Sequence, residues 1–207
     1  MGERVVARIK DKSLVERRRA QIVLAARGVF RDKGFHKATV RDIGRAASVT
    51  QGTLYNYVRT KEDILFLICD ELVATYRSLV RSVEEQYTDP EQRLRAAIEG
   101  LIRIIHEHQD DVLLMYHESH SLPRRALKHV LGQVGEFIKE FAGLVKHASS
   151  ALGIPSSNAQ LVANILTFLP AIVALRRWDL RRCTSQQEVE SELLKFMMQG
   201  LGLKFSR

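Results

Sequence analysis

Residues 39–65, TVRDIGRAASVTQGTLYNYVRTKEDIL, decide the fold of the N-terminal part of this chain. Thr39 and Thr50 are each placed to begin a short helix, because a threonine hydroxyl accepts a hydrogen bond from the unpaired backbone N–H groups of a helix start. We expect these helices to end near residues 47 and 57, with a short turn between them. The apolar residues that would form their buried face are Val40, Ile43, Ala47, Val49, Leu54 and Val58. This arrangement is typical of a helix-turn-helix.

Helical periodicity continues through the rest of the chain, and we find no convincing alternation of the kind that indicates a strand. The fold class is therefore predicted to be all-α. An N-terminal helix is expected over residues 13–33, with Gly34 as its C-terminal cap. Later helices are expected over residues 61–87, from 90, and over 110–119, 122–152, 156–180 and 185–201. Pro170 is expected to bend the helix over 156–180 or to break one of its hydrogen bonds.

Positive charge is concentrated at the N-terminal end. Residues 1–61 hold 15 Lys and Arg against 5 Asp and Glu, whereas the remaining residues hold 17 and 19. A basic head on a nearly neutral body is expected where one end of a protein meets a polyanion such as DNA. A solvated basic surface that serves solubility is the alternative.

The remaining composition indicates a cytoplasmic protein without a membrane span. Cys69 and Cys183 lack the spacing of a metal or redox site, so a reducing compartment is expected. No secretory signal is visible, and the most apolar run, over residues 161–175, is shorter than the roughly 20 residues that cross a bilayer. No metal or other cofactor is predicted.

Residues 17–67 resemble the tetracycline-repressor (TetR) family of bacterial transcriptional regulators. The residues that fall at the family's spacing are Lys33, Gly34, Phe35, Gly52, Thr53, Leu54, Tyr55, Tyr57, Lys61 and Glu62. Three residues depart from the pattern: Gly44 replaces the usual alanine, Ser48 a glycine and Val58 a phenylalanine. Gly44 is expected to weaken its helix by up to about 1 kcal/mol. Ser48 is expected to strain the turn or to change its shape.

The resemblance implies a ligand-responsive regulator, most simply a repressor, that binds a palindromic operator in double-stranded DNA as a homodimer. Residues 1–60 would form a three-helix DNA-binding unit, and residues 61–207 a larger domain for ligand binding and dimerisation. The helices over 156–180 and 185–201 would pack against their symmetry mates.

In a docked helix-turn-helix the start of the second helix lies nearest the base edges. Thr50, Gln51, Gly52 and Thr53 are therefore expected there, and Arg41 matches a base-contacting arginine position of the family. Phosphate contacts are expected from Thr39, Tyr55, Asn56, Tyr57 and Lys61. The basic residues Lys10, Lys12, Arg17, Arg18 and Arg19 form either a further phosphate-binding arm or a solvated charge run.

A small, largely apolar effector is expected among the helices of residues 61–180, where it would lower operator affinity. The candidate lining residues are Phe66, Met115, Tyr116, His117, His120, Phe137, Phe168 and Trp178, although such residues at helical spacing are also expected in a plain core. Residues 115–122, with Arg124, Arg125 and Lys128, resemble regulators of fatty-acid metabolism, in which basic groups could hold the phosphates of an acyl-CoA. The identity of the effector stays open.

Two other functions compete with this interpretation. A metal-dependent enzyme or metal-responsive regulator would use the segment His106, His108, Asp110, His117, Glu118 and His120. His117 and His120 share a helix face at i, i+3 spacing, while His106 and His108 do not, and a metal site needs convergent ligands. The other alternative is an architectural protein that binds DNA through its basic head without sequence specificity.

Overall fold

The computed structural model describes residues 12–153 and 158–203 of the chain. The regular structure within these ranges is entirely helical, which confirms the predicted all-α class. The chain divides into two compact units, Met1–Leu67 and Ile68–Arg207. One helix, α4, begins in unit 1 and continues into unit 2.

Unit 1 contains α1 (Lys12–Lys33), α2 (Val40–Ala46), α3 (Gln51–Tyr55) and the start of α4 (Lys61–Gln86). Its buried core includes Ile22, Val23, Ala26, Phe30, Phe35, Ile43, Leu54 and Ile64. Gly34 has a φ of +76°, and its N–H donates to the carbonyl of Phe30 at 2.8 Å. The expected glycine cap of the first helix is confirmed, because the left-handed conformation suits glycine best.

Unit 2 contains the rest of α4, then α5 (Pro90–Glu107), α6 (Gln109–Glu118), α7 (Arg124–Leu152), α8 (Ala159–Phe168), α9 (Ile172–Leu175), α10 (Arg177–Cys183) and α11 (Gln186–Gly200). Helix α5 packs against α7 and α11, and α7 packs against α8. The core of unit 2 is a continuous apolar cluster that draws on α4, α5, α7, α8 and α11. Ser185 and Glu188 form the expected capping box at the start of α11.

The single helix predicted over residues 156–180 is wrong. Leu169–Ala171 forms a 3-10 turn around Pro170, as a residue without a backbone N–H favours. A sharper break follows at Arg176, where Ala159–Leu175 and Arg177–Cys183 are bent by 72°. Residue 156, the expected start of the helix, lies outside the described residues.

Among the residues that the structure describes, no single helix has both the length and the hydropathy of a membrane span. Ala159–Leu175 and Arg177–Cys183 meet that test only as a bent pair.

Candidate functional site

The starts of α2 and α3 are held by the two threonines that the sequence identifies. The Thr39 hydroxyl accepts from the Asp42 backbone N–H at 3.1 Å, and the Asp42 carboxylate accepts from the Thr39 N–H at 3.2 Å. Thr50 accepts from the Thr53 N–H at 3.2 Å. Both predicted caps are confirmed, and α3 ends two residues earlier than expected, at Tyr55.

The turn between α2 and α3 depends on two unusual residues. Ser48 has a φ of +52°, so the backbone strain expected of a serine in the place of a glycine is confirmed. A Cβ on Gly44 would lie 3.0 Å from the Leu54 Cδ2, so the missing methyl group lets Leu54 pack closely against α2. Gln21 of α1 supports the turn by donating to the Ala47 carbonyl at 2.7 Å.

The predicted base-contacting side chains lie mostly on the surface. Arg41, Gln51 and Gly52 are exposed, and a Cβ on Gly52 would meet nothing within 4 Å. The Thr53 side chain is half-buried, and its hydroxyl accepts from Thr50 at 2.9 Å. This surface is free to meet a partner, and the fold itself does not require glycine at position 52.

The predicted phosphate-contacting residues differ from one another in exposure and in their contacts within the chain. Tyr55 and Asn56 are exposed and Tyr57 is half-buried. Lys61 has an intramolecular role that the sequence did not reveal. Its ammonium donates to the carbonyls of Phe35 and His36 at 2.9 and 3.0 Å, and it lies 4.6 Å from the Phe35 ring centroid. Lys61 therefore stabilises the loop after α1 through hydrogen bonds to its carbonyls. The contact of Lys61 with phosphate stays a prediction.

Asp42 adds an ion pair to the cap of α2. The Lys33 ammonium lies 2.8 Å from its carboxylate, and Lys33 together with the Thr39 hydroxyl lowers the pKa of Asp42 to about 2. Nearer the start of α1, Arg18 donates to Gln21 at 2.8 Å. Of the predicted basic arm, Lys10 lies outside the described residues.

Unit 2 contains a cavity of about 120 Å³ among α4, α5, α6, α7 and α8. Its lining residues are Tyr76, Ile105, Val112, Met115, Tyr116, Val134, Phe137, Ile138, Asn164, Thr167, Phe168 and Ala171. Two aromatic pairs border it: the ring centroids of Tyr76 and Phe137 are 5.3 Å apart, and those of Tyr116 and Phe168 are 5.8 Å apart. The cavity is therefore lined by apolar and aromatic side chains with few polar groups, as in small-molecule sites.

Four of the eight predicted ligand residues, Met115, Tyr116, Phe137 and Phe168, line this cavity, and the other four do not. Phe66 belongs to unit 1, His117 and His120 are exposed, and Trp178 is 67% exposed on α10, beyond the bend. Sequence reasoning missed Tyr76, Asn164 and Thr167. Tyr76 has the spacing of a core residue on α4, and no local pattern shows that α5 to α8 leave space beside it.

His106 and His108 lie near different carboxylates. His106 Nδ1 lies 3.5 Å from a Glu190 oxygen, and His108 Nδ1 lies 3.4 Å from an Asp111 oxygen. Within residues 12–153 and 158–203, no group of three or more His, Cys, Asp or Glu is arranged to hold a metal ion. His106 also borders a second cavity, of about 270 Å³, with Gln109, Arg177 and Arg181. This region does not support the metal-site alternative.

Some large apolar side chains of unit 2 are more than half exposed. They are Leu131, Leu161, Ile165, Phe168, Trp178 and Phe196. Leu161, Ile165 and Phe168 recur on one face of α8, whereas Leu166 on the opposite face is buried in the core. An apolar helix that is covered on only one side is expected to meet a partner.

Two family models match the chain. "Bacterial regulatory proteins, tetR family" covers residues 22–68, and "Tetracyclin repressor-like, C-terminal domain" covers residues 87–201. The second match spans more than half of the chain. Together the two matches account for parts of both compact units.

Two curated transcriptional regulators are similar to this chain in sequence. The transcriptional regulator HbdR of Aromatoleum sp. (strain CIB) is 35% identical over 135 residues, which is 65% of this chain and 58% of HbdR. The repressor KstR2 of Mycobacterium tuberculosis is 30% identical over 112 residues, 52% of this chain and 54% of KstR2. The chain thus spans little more than half the length of these curated relatives.

Solved structures show the same fold. A regulatory protein in the tetR family from Rhodococcus RHA1 has a TM-score of 0.78 and 18% identity, over 91% of this chain and 98% of that one. The structure of the ketosteroid transcriptional regulator KstR2 has a TM-score of 0.70 and 19% identity, over 95% and 98%. With both family models matched in order and the helix-turn-helix in place, the chain belongs to the TetR family of bacterial regulatory proteins.

Proposed function

We propose that this chain is a transcriptional regulator that binds a palindromic operator as a homodimer and is released by a small, largely apolar effector. The observation that carries the proposal is the exposed start of α3, where Gln51 and Gly52 are exposed on a helix capped by Thr50. A helix start of this kind suits the major groove because its free N–H groups favour the anionic duplex. The basic balance of residues 1–61 supports the same partner.

Gln51 is proposed to pair with adenine and Arg41 with guanine, the bases that their side chains match in the major groove. Thr50, Gly52 and Thr53 would lie near base edges. Contacts to phosphates are proposed for Thr39, Tyr55, Asn56, Tyr57 and Lys61. In this assignment residues 1–60 serve as the DNA-binding domain and residues 61–207 as the effector and dimerisation domain.

The exposed apolar face of α8 is proposed to form the dimer interface together with α11. Leu161 and Ile165 of α8 and Phe196 of α11 would be covered by the second copy of the chain. An interface of this kind would fix the distance between the two copies of α3. That distance has to match the DNA, because two half-sites of a palindrome lie about one helical turn apart or a multiple of it.

The effector is proposed to bind in the 120 Å³ cavity, because α4 joins it to the DNA-binding unit. Tyr76 lines the cavity, and the same helix begins at Lys61, which is bonded to the loop after α1. A ligand that moves α4 would change the distance between the two copies of α3, which are proposed to contact the two half-sites. A preference of about 1–3 kcal/mol for the non-binding arrangement is enough for a 5- to 150-fold effect.

Acyl-CoA thioesters and ketosteroid-like molecules are two candidate effector classes. The first is suggested by Arg124, Arg125 and Lys128 at the start of α7, which also carries three of the cavity residues. The second is suggested by KstR2, whose structure is described as that of a ketosteroid transcriptional regulator. A binding protein of this kind needs no catalytic group, so we propose no enzymatic activity, and we place its action in the cytoplasm with the DNA.

Selection from a random duplex library, followed by titration of the selected operator and a scrambled duplex at one salt concentration, tests the DNA-binding proposal. We expect the operator to bind about 10³-fold tighter or more. Equal affinity for both duplexes would instead favour the architectural alternative. Release of labelled operator by acyl-CoAs, steroids and aromatic compounds then tests the effector.

A further inference from the structure

The Tyr76 hydroxyl is the unusual polar group of the 120 Å³ cavity. Tyr76 is only 7% exposed, and its hydroxyl has no hydrogen-bond partner among the residues that the structure describes. Two other polar side chains of the lining are engaged: the Asn164 amide donates to the Gln160 carbonyl at 2.8 Å, and the Thr167 hydroxyl to the Ala163 carbonyl at 2.7 Å. The Tyr116 side chain, by contrast, belongs to a residue that is 42% exposed, so its hydroxyl can bond to water. Since polar groups of buried residues are almost always paired, an unpaired hydroxyl on a largely buried side chain beside a cavity indicates where a ligand would bond.

The ionisation of the lining restricts the charge of that ligand. No residue of the lining carries a formal charge at neutral pH. Burial raises the pKa of Tyr76 far above its ordinary value, and the neighbouring Tyr116 and Asp111 raise it further. Burial also raises the pKa of Tyr116. The Tyr76 hydroxyl therefore stays protonated and is a hydrogen-bond donor.

An anion would fit this cavity poorly. Its charge would lose hydration without gaining a cationic partner in the lining, which is a costly combination. Asp111, a residue that is 4% exposed and lies within electrostatic reach of Tyr76, offers an anion no positive charge either. A cation would likewise find no carboxylate in the lining.

We propose that the group which enters this cavity is an uncharged aromatic or alicyclic skeleton with a carbonyl that accepts a hydrogen bond from Tyr76. Its ring would pack against Phe137 and Phe168. The proposal rests on the proposed function, which places the effector in this cavity. A CoA thioester satisfies it only if its phosphates stay outside.

Three small probes of one shape test the ligand class. Acetophenone carries the carbonyl, α-methylstyrene replaces its oxygen with a methylene group, and benzoate replaces the methyl ketone with a carboxylate. The cavity is smaller than one of about 150 Å³ that holds benzene in another protein, but its lining residues Tyr116 and Phe168 are 42% and 55% exposed, so the ring of each probe can extend past them towards the surface. Calorimetry or ligand-observed NMR on the full chain, without DNA, gives each dissociation constant.

The decisive comparison uses Tyr76→Phe, with Tyr87→Phe as the matched control, since Tyr87 lies outside the cavity lining. We expect Tyr76→Phe to weaken acetophenone about two- to tenfold, the net worth of one hydrogen bond, and to leave α-methylstyrene unchanged. Tyr87→Phe should change neither. Benzoate should bind the wild-type chain at least tenfold more weakly than acetophenone.

Several results would overturn the inference: binding of benzoate less than tenfold weaker than that of acetophenone, equal losses for acetophenone and α-methylstyrene in Tyr76→Phe, no loss for either, or no binding of acetophenone at millimolar concentration. Tyr76→Phe removes one oxygen atom and keeps the ring, so we expect the variant to fold. A thermal melt of the variant tests this expectation. Because these titrations contain no DNA, they can fail while specific operator binding persists. The failure of this inference is thus distinct from failure of the DNA-binding proposal.

Discussion

Replacing Gly52 with alanine is expected to stabilise the fold and to weaken DNA binding. Gly52 is the second residue of α3, and a Cβ built there meets no atom within 4 Å. Alanine in a helix is favoured over glycine by about 0.5–1 kcal/mol, so the free energy of unfolding of unit 1 should rise. If α3 lies in the major groove, the added methyl group displaces it from the base edges. A steric cost of about 1–3 kcal/mol corresponds to a 5- to 150-fold loss of operator affinity.

Chemical denaturation and fluorescence anisotropy with the selected operator measure the two effects separately. Gly132→Ala is the matched control, because Gly132 lies on α7, also has no atom within 4 Å of a built Cβ, and lies outside the proposed DNA surface. It should raise stability and leave affinity unchanged. Wild-type affinity in a folded Gly52→Ala variant would refute the placement of α3 against the bases.

Three further outcomes follow from the structure. Ile165→Asp should separate the proposed dimer into folded subunits, whereas Leu166→Asp, at a core position, should unfold unit 2; analytical ultracentrifugation and circular dichroism distinguish these results. Gln51→Ala should cost about 1–3 kcal/mol on the operator and less on random DNA, whereas Lys61→Ala should weaken both complexes and also lower the melting temperature. The Asp42 pKa falls from 3.8 to about 2 on folding, so its contribution to stability is present above pH 3.8 and lost as the pH falls towards 2. Denaturation across that window should show a smaller acid-induced loss in Asp42→Asn, and an identical loss would contradict the assignment.

Features set by residues close together in the chain could be predicted from sequence. Thr39 and Thr50 cap their helices through N–H groups three residues away, and Gly34 ends α1 through the carbonyl four residues before it. The strain at Ser48 was likewise visible, since only its own φ is involved. Such interactions lie within a single turn, so their geometry follows from residue type and spacing.

Features that join distant residues could not be predicted in this way. Lys61 bonds to the carbonyl of Phe35, 26 residues earlier, and sequence spacing assigned it only to phosphate. The bend at Arg176 was missed as well. Arg177, which follows it, pairs with Asp110 from the start of α6, 67 residues earlier.

The sequence by itself determined the helical class, the helix-turn-helix with its capped helices and the basic N-terminal end, because periodicity, local hydrogen bonds and charge are carried by neighbouring residues. Only the tertiary structure decided that Tyr76, Asn164 and Thr167 border a cavity while His117, His120 and Trp178 do not. A cavity is the space that several packed helices leave unfilled, so it depends on how their side chains meet across the core. The same packing leaves Ile165 on the surface and buries Leu166, although both belong to one apolar run.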